Sequence, residues 1–167
     1  CSKIFKKYQR NRIIALFNPN YSPLGVNYNV IQSKIAIGSA GFFGKGFQQG
    51  TQVQLGFLPE AATDFVLAAL IEEWGLVGGL AVIAAFALII FRILKIGLFS
   101  GNNFSSFICL GAVIMFLIQF TINVGSTVGL LPVIGVTFPF LSYGGSSILI
   151  NAILLGIVQS ITVRSKF

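Results

Sequence analysis

The stretch PEAATDFVLAALIEEWG, residues 59–75, contains all the acidic residues of this 167-residue chain and opens a long apolar run. The four carboxylates are those of Glu60, Asp64, Glu72 and Glu73. Ionisable groups at the edge of hydrocarbon are costly, and they are retained mainly where they pair, line a polar cavity or do chemistry. If the protein is an enzyme, we expect its chemistry in this stretch.

The chain around this stretch has the composition of a membrane protein. It is 55% hydrophobic and 9% charged, and residues 96–163 carry no charge. Its mean hydropathy of +0.89 is too high for an ordinary soluble domain. The net charge of +7 comes from scattered lysines and arginines without an aromatic platform. It therefore predicts contact with anionic membrane lipids and not with nucleic acid.

Windows of about 20 apolar residues predict three transmembrane helices in an all-α, polytopic membrane fold. The predicted spans are residues 65–91, 104–122 and 142–163. Basic residues, which favour the cytoplasmic side, follow the first and third spans, at Arg92, Lys95, Arg164 and Lys166. The loop 96–103 and the C-terminus are therefore predicted inside, and residues 1–64 and 123–141 outside.

Residues 1–64 are predicted to form an extracytoplasmic loop region with amphipathic segments, ahead of the transmembrane region 65–167. Five basic residues within the first twelve positions disagree with this topology. Gly44-Lys45-Gly46 is not a P-loop, because Ser39 and Gly46 stand where that motif needs Gly and a hydroxyl residue. The chain has no His, the commonest zinc ligand and general base, and we predict no metal site from its residues.

Asp64 stands where the sequence predicts the start of the first transmembrane helix. Thr63 or Asp64 can cap that helix, and a carboxylate suits its first turn. Asp64 also shares a helix face with Ala68 and Glu72, so the face that bears it continues polar into the membrane. A structural cap and a chemical role are both open for Asp64 at this point.

Glu72 lies on the same predicted face as Asp64, about 12 Å deeper in the membrane. A lone carboxylate is costly at that depth, so we expect Glu72 to be protonated or paired, for example with Gln119 or Asn123. Together with Glu73, these residues are interpreted as polar groups that join helices within the membrane.

Two lysines and a Gly/Ser-rich turn are candidates for binding an anion on the same side of the membrane as Asp64. Lys34 and Lys45 could neutralise a phosphate or pair with Glu60, or they could be solvated surface charges. The segment PFLSYGGSS, residues 139–147, could present backbone N–H groups to an anion, or serve as a plain cap with close helix packing. The candidate substrate-binding residues are Ser142, Gly144, Gly145 and Ser146 of this segment, together with Lys34, Lys45 and Glu60.

Six motifs follow one another along essentially the whole chain. They are QSKIAIGS (32–39), GKG (44–46), FLPEAATDF (57–65), EEWG (72–75), GLLP (129–132) and PFLSYGGSS (139–147). In this order and spacing they resemble the SEDS family, the bacterial cell-shape, division and sporulation proteins that include RodA, FtsW and SpoVE. Tyr8-Gln9-Arg10 and residues 50–55 look more like RodA than FtsW. One departure is Ala62, where many relatives carry His beside the Thr-Asp pair.

The resemblance implies a fold and an activity. SEDS proteins have about ten transmembrane helices, and this chain resembles only the C-terminal portion, from the large extracytoplasmic loop onward, which implies a missing N-terminal half. They are peptidoglycan glycosyltransferases that polymerise lipid II at the outer face of the bacterial cytoplasmic membrane. They work with a class B penicillin-binding protein that crosslinks the strands.

The resemblance also implies roles for particular residues. Asp64 matches the essential acid of the family, and abstraction of a proton from the acceptor hydroxyl fits it. Lys45, ahead of Lys34, is expected to neutralise the departing diphosphate, with or without a divalent cation such as Mg²⁺ or Mn²⁺. The isolated chain is expected to be inactive.

Three other functions stay open. A bundle with a polar face could be a lipid II flippase, since the family was long considered one. A division-type FtsW homologue would perform the same chemistry in another process. A non-catalytic fragment that docks on a penicillin-binding protein is the third.

Overall fold

The helices of the computed structural model account for the apolar pattern of the sequence. The model describes residues 27–164, so the predictions about residues 1–26 and 165–167 lie outside the described part. Five helices occur in residues 27–164: α1 Tyr28–Ser39, α2 Thr51–Gln54, α3 Val66–Phe99, α4 Asn103–Val128 and α5 Gly145–Arg164. The described part contains no strand, which confirms the all-α prediction.

Three of these helices, α3, α4 and α5, are long and apolar enough to cross a membrane. They correspond to the three predicted spans, but two of them end later than predicted. The helix α3 continues to Phe99, past Arg92 and Lys95, whose long side chains can reach water from within a helix. The helix α4 continues to Val128 and ends at Gly129, which takes the left-handed conformation that favours glycine.

The start of α3 corrects the predicted cap. The helix begins at Val66, and its N-cap is Phe65, whose side chain makes no capping hydrogen bond. Residues 55–65 form turns instead, in which the Glu60 carbonyl accepts hydrogen bonds from the backbone N–H groups of Thr63 and Phe65. The predicted cap by Thr63 or Asp64 is therefore wrong, because the chain turns once more before it enters the helix.

The helix α3 is interrupted at Gly75, which the sequence analysis did not predict. Gly75 has φ 75° and ψ −175°, a conformation that belongs to no helix. The loop 41–46 packs into the interruption so closely that glycine is needed on both sides. A Cβ on Gly75 would run into the Phe42 carbonyl, and a Cβ on Gly44 would run into the Glu73 carbonyl.

Backbone hydrogen bonds join the inserted loop to both halves of the interrupted helix. On the first half, the carbonyls of Glu72 and Glu73 accept from the N–H groups of Lys45 and Gly46, each at 3.0 Å. On the second half, Leu76 and Val77 donate to the carbonyls of Gly41 and Phe42, at 3.1 and 3.3 Å. Irregular backbone within an apolar helix is tolerated where protein groups satisfy its polar atoms, and here the loop does so.

Of the three groups of buried side chains within residues 27–164, one joins α3 to α4 and a second holds the turn before α3. Near the far end of α3, Phe86, Ile90 and Ile93 pack against α4, whose Cys109 and Phe116 are buried. Near the start of α3, Leu58, Phe65 and Ala68 are buried together, with Val30 and Ile37 of α1 packed on them. The second group fixes the Asp64-bearing turn between α1 and α3.

Candidate functional site

Asp64 lies in the last turn before α3, half-buried, where three segments of the chain meet. A Cβ on Gly135 would be 3.7 Å from its Oδ2 atom, so the carboxylate faces the loop between α4 and α5. The backbone carbonyl of Asp64 accepts a hydrogen bond of 3.0 Å from Nδ2 of Asn123. The backbone of the residue is therefore fixed to α4.

Asn123 ties the α4–α5 loop to Asp64. Its side chain is fully buried, and Nδ2 donates to the Val136 carbonyl at 2.8 Å as well as to the Asp64 carbonyl. The predicted role of Asn123 as a polar group that joins helices is thus refined to the joining of a loop and a turn. Its buried Oδ1 has no hydrogen-bond partner within residues 27–164.

Ser142 makes a second tie on the other side of Asp64. Its hydroxyl donates to the Thr63 carbonyl at 2.6 Å and accepts from the Phe138 N–H at 2.7 Å, and the residue is 1% exposed. The Tyr143 N–H adds a bond of 2.8 Å to the Ala62 carbonyl. The hydroxyl that we considered for substrate binding is thus engaged within the protein, while substrate contact by Ser142 stays a prediction.

The rest of the Gly/Ser-rich turn forms the start of α5. Gly145 and Ser146 are exposed in the first turn of that helix, and Gly144 is half-buried beside Ser147, whose hydroxyl donates to its carbonyl at 3.1 Å. Anion binding by Gly144, Gly145 and Ser146 stays a prediction.

Lys34 lies near this junction, exposed on α1. A Cβ on Gly129 would be 2.7 Å from its Nζ atom, so its ammonium sits over the end of α4. The neighbouring Ser33 fixes α1 there, since its hydroxyl donates to the Thr127 carbonyl at 2.7 Å. Lys34 therefore lies beside Gly129, and Asp64 lies beside Gly135. These two glycines are the ends of one short segment of the loop between α4 and α5.

Lys45 and Glu72 form an ion pair at the interruption of α3. Lys45 Nζ lies 2.7 Å from Oε1 of Glu72, whose side chain is fully buried, and 2.8 Å from the Thr51 hydroxyl. The expected pairing of Glu72 with Gln119 or Asn123 is wrong. The inserted loop brings Lys45 nearer, while Asn123 is turned toward Asp64 and the buried Oε1 of Gln119 has no hydrogen-bond partner among the described residues.

Two further acidic residues lie outside these contacts. Glu60 is exposed, and it accepts a hydrogen bond of 2.8 Å from the Thr63 hydroxyl and not from a lysine. Glu73 is half-buried at the interruption, where its carbonyl rather than its carboxylate is used by the inserted loop. Substrate binding by Glu60 stays a prediction.

The sequence analysis missed the inserted loop, although two signals pointed to it. Gly44-Lys45-Gly46 was compared with a phosphate loop and rejected, and Gly75 was given no structural role. A close backbone crossing with a buried ion pair requires glycines at the contact and a lysine near the carboxylate. This chain has a lysine between glycines on one segment and a glycine two residues after a Glu-Glu pair on the other.

The described residues do not favour a metal site. No group of three or more His, Cys, Asp or Glu side chains is gathered within residues 27–164. The divalent cation therefore stays a prediction, and no step proposed below uses it.

Comparisons with known proteins show the family to which the chain belongs. The sequence model of the FtsW/RodA/SpoVE family, described as a cell cycle protein, matches residues 2–167. The chain is 45% identical over 159 residues to the peptidoglycan glycosyltransferase MrdB of Escherichia coli, an alignment that covers 95% of this chain and 43% of MrdB. It is 39% identical over 163 residues to the probable peptidoglycan glycosyltransferase FtsW of Trichlorobacter lovleyi, with 98% of this chain and 42% of that protein covered.

A solved structure shares the fold. It is described as showing the structural coordination of polymerization and crosslinking by a peptidoglycan synthase complex. The match has a TM-score of 0.73 and 32% sequence identity, and it covers 96% of this chain and 43% of the other. The chain thus spans less than half the length of the relatives it matches, and it belongs to the FtsW/RodA/SpoVE family, the SEDS family of multi-pass membrane proteins.

Proposed function

We propose that this chain supplies the acidic site of a peptidoglycan glycosyltransferase that polymerises lipid II into glycan strands. The observation that carries the proposal is the position of Asp64, in a turn tied on both sides to the α4–α5 loop by Asn123 and Ser142. A general base must be held in a fixed position relative to the hydroxyl from which it takes a proton. The names of the relatives supply the reaction class.

In the proposed reaction, Asp64 takes the proton of the acceptor sugar hydroxyl. The hydroxyl oxygen then forms a bond to the anomeric carbon of a second lipid-linked sugar, and the bond from that carbon to the diphosphate oxygen breaks. The electron pair leaves with the diphosphate, and the proton remains on the Asp64 carboxyl. Direct attack of this kind inverts the anomeric carbon.

Lys34 is proposed as the cation that faces the departing diphosphate. Its ammonium is exposed beside Gly129, at the other end of the loop segment whose Gly135 faces Asp64. A positive charge placed where negative charge develops stabilises the transition state. Lys45 was the first candidate from the sequence, but its ammonium already lies between Glu72 and Thr51.

The location and partner are proposed from the resemblance together with the comparisons. We place the protein in the bacterial cytoplasmic membrane, with residues 1–64 outside and the C-terminus inside. A class B penicillin-binding protein is the proposed partner, supported by the synthase complex among the similar structures. A role in elongation rests on the RodA-like residues 8–10 and 50–55.

The test is glycan formation by the full-length protein from lipid II in detergent, where transport across a membrane is impossible. Asp64→Asn is expected to lower the rate by about 100-fold or more, the usual contribution of a general base. Glu73→Gln is the matched control, because the inserted loop uses the Glu73 carbonyl and not its carboxylate, and it is expected to retain most of the rate. No glycan from the parent protein would favour the flippase, and equal rates for the two variants would remove Asp64 from the mechanism.

A further inference from the structure

The Glu72 carboxylate holds a whole segment of the chain and not only Lys45. Its Oε1 atom accepts from Lys45 Nζ at 2.7 Å, from the Gln52 N–H at 3.0 Å and from the Thr51 hydroxyl at 3.2 Å. A Cβ on Gly50 would be 2.9 Å from Oε2 of Glu72, so the chain passes directly over the carboxylate. Residues 50–52 are thereby fixed to the buried face of α3 that bears Glu72.

Lys45 supplies the counter-charge that stabilises the buried Glu72 carboxylate. The Glu72 side chain is fully buried within a helix that is apolar enough to cross a membrane. A buried charge that loses its partner is strongly unfavourable. If the Lys45 ammonium moved to a substrate, Glu72 would be left without a counter-charge, so the two roles exclude each other.

The segment fixed by Glu72 leads directly to the Asp64-bearing turn. The Gln52 carbonyl accepts from the Leu58 N–H at 3.2 Å, and the Leu58 carbonyl accepts from the Ala61 N–H at 3.2 Å. Leu58 is 2% exposed and packs with Phe65, the residue after Asp64. A continuous set of hydrogen bonds and buried contacts therefore connects the ion pair to the turn.

We infer that Lys45 and Glu72 form a positioning pair for the Asp64 site, in which Lys45 acts on the reaction through Glu72 and not by touching the substrate. This inference rests on the proposed function for the role of Asp64. The pair fixes residues 50–58, and these in turn fix the turn 59–65 against α1 and α3. A small displacement of a catalytic group is enough to slow a reaction strongly, so a loosened turn lowers kcat.

Kinetics of the full-length protein on lipid II test the inference. Lys45→Met is expected to lower kcat by about tenfold while KM changes by less than about twofold, because the ground-state contacts to substrate are intact. The double variant Lys45→Met/Glu72→Gln removes both charges and keeps an acceptor for the Gln52 N–H. It is expected to recover kcat to within about threefold of the parent, since the two positions are coupled. Lys95→Met, at the exposed far end of α3, is the matched lysine control.

A second measurement does not depend on activity. Endoproteinase Glu-C cleaves after glutamate, and Glu60 is exposed within the turn that the pair is inferred to fix. In Lys45→Met we expect cleavage after Glu60 to be about tenfold faster, because local opening becomes easier, and in the double variant to return to the parent rate. The fragment that ends at Glu60 identifies this site among others.

Two outcomes would overturn the inference. A raised KM in both Lys45→Met and the double variant would mean that Lys45 contacts the substrate. Parental kcat and cleavage in Lys45→Met would mean that the pair positions nothing. Asp64→Asn is measured alongside: if it keeps full activity, the proposed function fails, while the cleavage rates still show whether the pair holds the turn.

Discussion

Two regions of this protein bind loops to membrane helices by different means. At the Asp64 junction, the neutral side chains of Asn123 and Ser142 bond to backbone atoms of neighbouring loops. At the interruption of α3, a backbone ladder, two glycine contacts and one buried ion pair join the loop 41–46 to the helix. The Asp64 carboxylate is half-buried beside the α4–α5 loop, whereas the Glu72 carboxylate is fully buried against Lys45.

The difference separates residues that are near the chemistry from residues that support it. Charge alone does not distinguish them, since Asp64, Glu72, Lys34 and Lys45 all lie in family motifs. Burial does: the Glu72 side chain is fully buried against Lys45, while Asp64 is half-buried and Lys34 is exposed. Four changes test this division, taken from the largest expected effect to the smallest.

Gly44, where the loop 41–46 crosses the interruption of α3, should be the position most sensitive to substitution. Gly44→Ala places a Cβ against the Glu73 carbonyl at a residue with φ 77°, so we expect the full-length protein not to accumulate in a folded form. Gly111→Ala is the control, because an added Cβ there meets no atom of residues 27–164 and the change replaces a glycine in a helix interior. It should be neutral or stabilising by about 0.5–1 kcal/mol. Detergent-solubilised yield and thermal unfolding measure both; a stable Gly44→Ala protein would contradict the close crossing.

Substitution of Asn123 should have the second largest effect, because its side chain makes two hydrogen bonds in a buried site. Asn123→Ala leaves the carbonyls of Asp64 and Val136 without that donor. Because a buried acceptor left unsatisfied costs about 1–3 kcal/mol, we expect a clearly lowered unfolding temperature together with lowered glycan synthesis. Unchanged activity in a destabilised protein would show that this tie does not position Asp64.

Ser142 should have a smaller effect of the same kind. Ser142→Ala removes the acceptor of the Phe138 N–H and the donor to the Thr63 carbonyl, but the Tyr143 N–H still bonds to the Ala62 carbonyl. We expect a loss of about 1–2 kcal/mol in unfolding free energy. Glycan synthesis should fall less than in Asn123→Ala. If lipid II affinity fell instead, with stability unchanged, the predicted substrate contact by Ser142 would gain support.

Thr51 should have the smallest effect. Thr51→Val keeps the shape of the side chain and removes a hydroxyl that lies 2.8 Å from Lys45 Nζ and 3.2 Å from Glu72 Oε1. Glu72 keeps Lys45 and the Gln52 N–H, so the expected loss is about 1 kcal/mol with nearly parental kcat. Thermal unfolding and initial rates measure it; a loss as large as that of Lys45→Met would mean that the hydroxyl, and not the charge pair, holds the segment.

The sequence predicted the apolar helices and the position of the acidic turn, but not the contacts that distinguish one acid from another. The three spans follow from length and hydropathy, and Asp64 from a motif at the start of the first span. The interruption at Gly75 was not predicted, because it depends on backbone contact with residues 41–46, about thirty positions earlier in the chain. The partner of Glu72 depends on the same contact, so the sequence suggested Gln119 and Asn123 in its place.

The predicted start of α3 was wrong for a related reason. A carboxylate before an apolar run is typical of a helix cap, yet the Glu60 carbonyl takes the backbone N–H groups of Thr63 and Phe65 and delays the helix to Val66. Local sequence preferences were overridden by a turn that packs Leu58 and Phe65 against α1. That delay places the Asp64 carboxylate beside Gly135.

The central claim is that Asp64 acts in the chemical step and not in holding the substrate. The most direct measurement is lipid II binding and glycan synthesis side by side in full-length Asp64→Asn. We predict a dissociation constant within about threefold of the parent and a turnover lowered by about 100-fold or more, because only proton transfer is lost. Turnover within about tenfold of the parent, or a loss of binding as large as the loss of turnover, would contradict the account.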